Sequence, residues 1–484
     1  MAKTSVPRIC IVGESEGVGK SLLVAGLLLA LRKRGLSVSC AILGTALQQA
    51  AVYSHLIRRY VRCLDVEMIG YQGVLDAVGQ ISSGSDVVIL DGSKGIFDGG
   101  GQDHTVPTTD LLCIQKDEFP SILVFNVDYL TPSILARVYG FASFPDGPPF
   151  DAILFNRLRS VPDLSMQQRF QQLLCETGAP ECVGFVPNVN LSGEFPRSDD
   201  CQGANRVAVP IQLLSMVSQA VESFLDIDKI LECAAAAKDF EFQPIHPLVE
   251  RGRARLAVAH DGCFSVSFQD NLDLLRLAGA EIVSFSPLAD SSIPTGVGGV
   301  YLPGGCIAGY ADILERNTDL ADSLRRFVDD GGVLFSEGAG TALLARTFRP
   351  EGSDRAYKGL GILPIDVVQD LPSFSFVQFC VTQSCILGDE GMEFNALAPS
   401  DWKLLPNSDN ELKAEYVLGW KTPAGFAGRE GLSVTGQSCS TFNFTHFGSN
   451  PLIVKNLLSA ITTHQESVRK RSKPSGESLA AHKH

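Results

Sequence analysis

The chain has 484 residues, enough for two or three domains with cores of their own. Apolar residues make up 45% and charged residues 19%, the balance of an ordinary globular protein. A net charge of −14 speaks against general nucleic-acid binding, which needs a basic surface, so no nucleic-acid partner is expected. The longest apolar stretch, residues 22–31, is too short to span a bilayer, and no signal-peptide pattern precedes Arg8. The 13 cysteines are scattered without a C-x-x-C pair and read as reduced, mostly buried thiols. These features predict a cytoplasmic protein with no membrane partner.

Residues 1–235 alternate apolar, β-rich runs with helical stretches. Strands are predicted over 8–12, 37–43, 86–90, 121–126, 151–156 and 182–186, and helices over 22–34, 130–141 and 165–177. Such alternation predicts an α/β domain built on a parallel sheet with helices on both faces. Ligands of such sheets sit at the carboxyl ends of the strands.

The first of these ends carries Gly13-Glu14-Ser15-Glu16-Gly17-Val18-Gly19-Lys20-Ser21. An apolar run precedes it and good helix formers follow, the strand–turn–helix order of a phosphate cradle. Glycines let backbone N–H groups approach phosphate oxygens, and the helix N-terminus adds roughly half a positive charge. Gly13, Glu16, Gly17, Val18, Gly19, Lys20 and Ser21 are therefore the candidate nucleotide-binding residues. Lys20 would reach the outer phosphates, and the Ser21 hydroxyl would ligate Mg²⁺. Five residues, rather than the usual four, separate Gly13 from Gly19-Lys20.

A second apolar run delivers Asp91 to a strand end, followed by a glycine-rich turn with Gly92, Gly95 and Asp98. An acid beside a phosphate loop can orient Mg²⁺ or its water ligands. Asp91 is thus a candidate metal and catalytic residue, and Asp98 a second catalytic acid, although Asp-Gly pairs also serve plain turns. Residues 236–254 carry two prolines and no period, and read as an interdomain linker. A second α/β domain follows. Its strands are predicted over 255–259, 281–286, 299–302 and 333–336, and its helices over 270–278 and 319–329. Ser336-Glu337-Gly338-Ala339-Gly340 is a sharp strand-to-helix turn of nucleophile-elbow type, with no Ser or Cys at its tip. The polar tail, 463–484, is expected to be disordered; its basic run Arg469-Lys470-Arg471 reads as a solvated terminus.

From roughly residue 8 to 457 the chain resembles the cobyrinic acid a,c-diamide synthase family and its Ni-sirohydrochlorin relative. The resemblance lies in the loop Gly13–Ser21, in Asp91-Gly92 through Gly95-Ile-Phe-Asp98-Gly99, in Gly140-Phe-Ala-Ser-Phe144 and in Ile153-Leu-Phe-Asn156-Arg157. It continues through Ala257-Val-Ala-His-Asp261, Phe264, Asn271-Leu272, Ala278-Gly-Ala280, Phe285-Ser-Pro-Leu-Ala-Asp290 and Phe447-Gly-Ser-Asn-Pro451. It implies a P-loop, dethiobiotin-synthetase-like ATP domain over 1–235, then a class I glutamine amidotransferase-like α/β domain over 255–462. It also implies ATP and Mg²⁺ as cofactors, a small-molecule carboxylate of tetrapyrrole type as substrate, and Asn156 at the nucleotide base.

The departures from the family pattern are specific. The family elbow Ala-Glu-Cys-Gly-Gly places Gly338 at the nucleophile position. The family stretch Ser-Tyr-x-His-x-His-Phe places Phe444 at the base position and leaves only His446. A Cys–His glutaminase needs a thiolate and a base to polarise it. Gly338 and Phe444 supply neither, so glutaminase activity is expected to be lost. Cys306, after Gly304-Gly305, is read as a packed or loop thiol. The stretch Ile42-Leu43-Gly44-Thr45-Ala46-Leu47-Gln48-Gln49-Ala50 lacks the Lys and both Asp of the family's Lys-x-Gly-Pro-Asp-Tyr-x-Asp-Pro, and Asp91 replaces a Glu.

Two functions follow from the resemblance and its departures. One is an ammonia-dependent amide ligase. The other is an ATP-binding pseudoenzyme that serves a protein partner as scaffold or regulatory subunit. A homodimer is open under either. A dethiobiotin synthetase would leave 255–457 unexplained.

Overall fold

The computed structural model describes residues 1–98, 117–143, 150–188, 211–250, 253–370, 375–398, 402–405, 414–422 and 425–472. Gly99, Phe144 and the end of the tail, 473–484, which entered the sequence argument, lie outside the described residues. The chain divides into two compact units: Met1–Ile245 with Val266–Asn271, and His246–Ser265 with Leu272–His484.

The strands of the first unit are β1 (Ala2–Thr4), β2 (Arg8–Gly13), β3 (Val38–Leu43), β4 (Arg62–Leu64), β5 (Val87–Gly95), β6 (Ser121–Asn126), β7 (Ala152–Leu158), β8 (Glu181–Pro187) and β9 (Phe240–Phe242). Its helices are α1 (Lys20–Lys33), α2 (Leu47–Ile57), α3 (Val66–Ser82), α4 (Pro132–Ser143), α5 (Leu164–Glu176), α6 (Ile211–Phe224) and α7 (Ile227–Ala235). Seven strands form one sheet in the order β4-β3-β5-β2-β6-β7-β8, and every pairing in it is parallel. Every residue of β2 and β3 is buried, which is why these segments read as continuous apolar runs rather than alternating ones. The predicted α/β class holds. Helix α4 starts at Pro132, the first-turn position where a missing N–H costs nothing.

One segment departs from its expectation. Phe240–Phe242, inside the stretch read as linker, forms β9 and pairs antiparallel with β1. The cause is Arg8, fully buried in β2. Its guanidinium sits 4.7 Å from the Phe240 ring centroid and 5.6 Å from that of Phe119. It donates to the carbonyls of Glu118 (2.6 Å), Val6 (2.9 Å) and Lys238.

The second unit holds β10 (Arg255–Ala259), β11 (Glu281–Phe285), β12 (Gly299–Leu302), β13 (Val333–Glu337), β14 (Thr347–Arg349), β15 (Tyr357–Lys358), β16 (Asp366–Gln369), β17 (Ser375–Val381) and β18 (Glu393–Ala398). It continues with β19 (Trp402–Leu404), β20 (Glu415–Thr422), β21 (Gly425–Ser433), β22 (Ser438–Thr441) and β23 (Phe444–Thr445). Ten of these form one sheet, β11-β10-β12-β13-β22-β21-β20-β17-β18-β23. It is parallel from β11 to β22 and antiparallel beyond. The short strands β15-β14-β16-β19 make a separate sheet. At the end of β13 the chain enters α8 (Gly338–Leu344), buried at every position.

The tail also departs from its expectation. Helix α9 runs Leu452–Ser472, so residues 463–472 are helical rather than disordered. Gln465, which composition alone would place in solvent, is buried and accepts from Arg255 N (3.1 Å) and donates to Gly296 O (3.0 Å). Arg469, Lys470 and Arg471 fall in the last helical turn, where the helix dipole favours cations. Among the described residues no helix is long and apolar enough to cross a membrane.

Candidate active site

Strand β2 ends in the glycine loop, and the loop ends in α1. Gly17 and Gly19 take the left-handed region, φ 77° and 93°. A side chain on Gly19 would also fail for space, since its Cβ would stand 2.6 Å from Asn156 Nδ2. Val18 is buried, and its carbonyl accepts from Asn156 Nδ2 at 2.8 Å. The extra residue of the loop is thus absorbed by tucking Val18 inward. No side chain caps the first turn of α1, and no acid lies in it. Its N–H groups are of the kind that anions satisfy.

Lys20 is buried and folds back over the loop: a Cβ on Gly13 would stand 2.9 Å from its Nζ. Burial pulls its pKa down, while Asp91, Glu16 and Asp98 push it up. A cation held there among acids is poised for phosphate oxygens. Glu16 and Asp98 are exposed. Asp98 lies against the turn, its Oδ2 2.2 Å from where a Cβ on Gly95 would be.

Asp91, on β5, is fully buried. Its Oδ2 accepts from the Tyr53 hydroxyl at 2.7 Å and from Gln49 Nε2. Its Oδ1 is buried and has no hydrogen-bond partner among the described residues. Burial raises its pKa to about 6, against the opposing pull of Tyr53, Lys20 and Gln49. The Tyr53 hydroxyl also lies 2.8 Å from the Ser21 carbonyl and 2.8 Å from Gln49 Nε2. One helix, α2, therefore ties the start of α1 to the acid on β5.

Mg²⁺ takes oxygen ligands and keeps several waters, so one or two protein ligands suffice beside a nucleotide. Ser21 and the bare Oδ1 of Asp91 are oxygen donors of that kind, and the pair fits the ion. No group of three His, Cys, Asp or Glu that could hold a metal occurs among the described residues. An ion here would draw further ligands from phosphates and water.

Glu14 turns away from the loop. Its Oε1 accepts from Asn126 N at 2.8 Å, and its carboxylate pairs with Arg137 of α4. The negative charge of Glu14 beside the glycine loop is thereby neutralised. Asn156, placed at the base by resemblance, spends its amide N–H on the Val18 carbonyl, so its visible work is to hold the loop.

The second unit brings Gly338 and Phe444 together. A Cβ on Gly338 would meet the Phe444 ring at 3.3 Å, and Gly338 has φ 49°. Beside them Glu337 is fully buried and accepts from Tyr301 OH (2.5 Å) and Thr445 N (2.6 Å). Burial drives its pKa to about 8. Burial thus favours its neutral form, and both of its oxygens accept a hydrogen bond. His446 is buried, with Nδ1 accepting from Gly448 N at 3.0 Å. Cys306 is half-buried, its N–H donating to Cys263 O at 2.9 Å.

Sequence reasoning missed Gln49, Tyr53, Arg137, Tyr301 and the state of Glu337. Gln49 and Tyr53 stand four residues apart on a helix and so share a face. That spacing was legible, but not that the face meets Asp91.

Residues 255–370 match the CobB/CobQ-like glutamine amidotransferase domain. The cobyrinate a,c-diamide synthase of Dehalococcoides mccartyi (strain CBDB1) is 27% identical over 463 residues, covering 93% of this chain and 97% of that one. That of Syntrophotalea carbinolica is 29% identical over 366 residues, covering 73% and 77%. That of Methanococcus maripaludis is 25% identical over 471 residues, covering 93% and 99%. Among solved structures, PurLQS from Thermotoga maritima overlaps 44% of this chain and 98% of that one at 15% identity and a TM-score of 0.33, too slight a likeness to bear on the reading. The motifs of both halves and these matches agree: the chain is similar over most of its length to cobyrinate a,c-diamide synthases, and its residues 255–370 match the CobB/CobQ-like glutamine amidotransferase domain.

Proposed function

We propose that the chain is an ATP-dependent amide synthase that takes ammonia rather than glutamine as its nitrogen source. The carboxylate oxygen of a tetrapyrrole-type substrate attacks the γ-phosphorus of ATP. The bond to ADP breaks, and an acyl phosphate forms. The lone pair of ammonia then attacks the acyl carbon, phosphate leaves, and nitrogen sheds a proton. Lys20 and the loop N–H groups hold the charge that spreads over the transferring phosphoryl group. Mg²⁺, when bound through Ser21 and Asp91, supplies further charge neutralisation. In this reading Asp98, exposed beside the loop, is the second catalytic acid.

The observation that carries this reading is the buried Lys20 beside Asp91 at the mouth of a left-handed glycine loop. The loss of glutaminase chemistry is supported by Gly338 and Phe444, which face each other where a nucleophile and a base would have to meet. The test is ATP turnover and product mass with cobyrinic acid, comparing ammonium with glutamine. Amide formed with ammonium alone is the expected result. Amide formed with glutamine would overturn the assignment of Gly338 and Phe444.

A second reading, an ATP-binding pseudoenzyme serving a protein partner, is favoured by Gln49 and Tyr53. These two neutral groups occupy one oxygen of Asp91, in a segment that lacks the family's Lys and acids. Tight ATP binding without turnover on either nitrogen source would select it.

A further inference from the structure

We infer that Gln49 and Tyr53 are positioning residues that ration the metal-binding capacity of Asp91: they occupy Oδ2 and leave Oδ1 as the single buried carboxylate oxygen available to a nucleotide-bound divalent cation. The inference rests on the ATP-binding reading above and goes beyond it by assigning two residues that neither the motif nor the comparisons mark.

Four observations support it. First, Asp91 is fully buried, so it cannot borrow solvent to satisfy its oxygens. Second, both donors to it are on one oxygen: the Tyr53 hydroxyl at 2.7 Å and the Gln49 amide. Third, Oδ1 is buried and has no hydrogen-bond partner among the described residues. A carboxylate oxygen left bare in a protein interior is costly unless something of positive charge completes it. Fourth, the same Tyr53 hydroxyl lies 2.8 Å from the carbonyl of Ser21, whose side chain is the second oxygen donor of the site. The single O–H proton of Tyr53 is thus shared between the Asp91 carboxylate and the Ser21 carbonyl, which keeps the hydroxyl between the two residues, and Gln49 Nε2, 2.8 Å from that hydroxyl, holds Tyr53.

The chemistry sets the direction of each change. Tyr53→Phe removes the tie to Ser21 and frees Oδ2 to rotate, so the cation loses a fixed anchor. Gln49→Glu keeps the shape of the side chain but puts a second carboxylate beside the first. Two carboxylates repel each other without a cation and share it when it is present.

The experiment is calorimetric binding of the β,γ-imido analogue of ATP to full-length wild type, Tyr53→Phe and Gln49→Glu. Each is measured with MgCl₂ and with EDTA. The readout is the ratio of the two affinities, which a purely structural role would leave unchanged because it would weaken both alike. For Tyr53→Phe the expected result is a ratio reduced about fivefold, with EDTA affinity within twofold of wild type. For Gln49→Glu the ratio rises about fivefold, and added Mg²⁺ raises the melting temperature more than in wild type. Ratios unchanged in both variants would overturn the inference. So would a wild-type affinity equal in MgCl₂ and EDTA, which would leave ATP binding standing. No binding by wild type in either buffer would overturn the ATP reading and the inference together.

Discussion

Each unit buries an acid in a parallel strand, Asp91 within β5 and Glu337 at the end of β13, and the two acids meet opposite fates. In the first unit Asp91 keeps one oxygen bare beside a buried lysine and an uncapped helix start. In the second, Glu337 has both oxygens filled by Tyr301 and Thr445, and the turn tip beside it faces a phenylalanine ring. A site that awaits a ligand leaves charges incompletely paired. A turn that has become scaffold satisfies them internally. On the proposed reading, a turn can be retained for folding after the groups that do chemistry have gone.

The largest effect that would sharpen this contrast is on stability. An acid with a raised folded pKa binds its proton more tightly in the folded than in the unfolded state. Stability contributed by Glu337 is therefore full below the ordinary glutamate value of 4.5 and is lost as pH rises through about 8. The shift corresponds to roughly 3–5 kcal/mol. Glu337→Gln should flatten the fall in urea-unfolding free energy between pH 5 and 9 (a window of about four units). An unchanged pH dependence would mean that Glu337 is not held neutral, and the contrast between the turns would fail.

Next in size is Lys20→Ala, which should weaken ATP binding about a hundredfold, the worth of a charge-assisted contact to phosphate. Calorimetry reads it directly. A loss of less than about threefold would place the phosphates elsewhere and make the first turn scaffold as well.

The smallest is Arg137→Met. It leaves Glu14 charged beside the loop, and should cost about 0.5–1 kcal/mol of ATP affinity. The double variant Glu14→Gln, Arg137→Met should recover most of that loss, because the repelling charge has also gone. Absence of recovery would show that Arg137 touches the nucleotide itself.

The glycine loop and its flanking strand and helix were legible from sequence, because each is fixed by local rules; the strand that carries Asp91 was expected to end before it, but β5 runs on to Gly95 and leaves Asp91 within the strand. Left-handed φ values demand glycine at 17 and 19, and continuous apolar runs mark strands buried on both faces. The motif positions of both halves were likewise legible as an ordered set, and the matched relatives extend over nearly the whole chain.

Composition misled where polar residues were kept inside by one or two contacts. Gln465 holds a tail that reads as disordered, and Arg8 draws Phe240 out of a segment that reads as linker. Local pattern alone settled most of the parallel strands and helices of the first unit and the start of the second, while β9 and the strands from β14 to β23 carried no such signal. Which oxygen of Asp91 is occupied, that Glu337 is buried with both oxygens bonded, and that Gly338 faces Phe444 came from the folded arrangement. These depend on side chains 38, 36 and 106 residues apart in the chain, Tyr53 with Asp91, Tyr301 with Glu337 and Gly338 with Phe444. Hydrogen bonding and desolvation act through space over a few ångströms, and sequence spacing carries that information only within a single helix or strand.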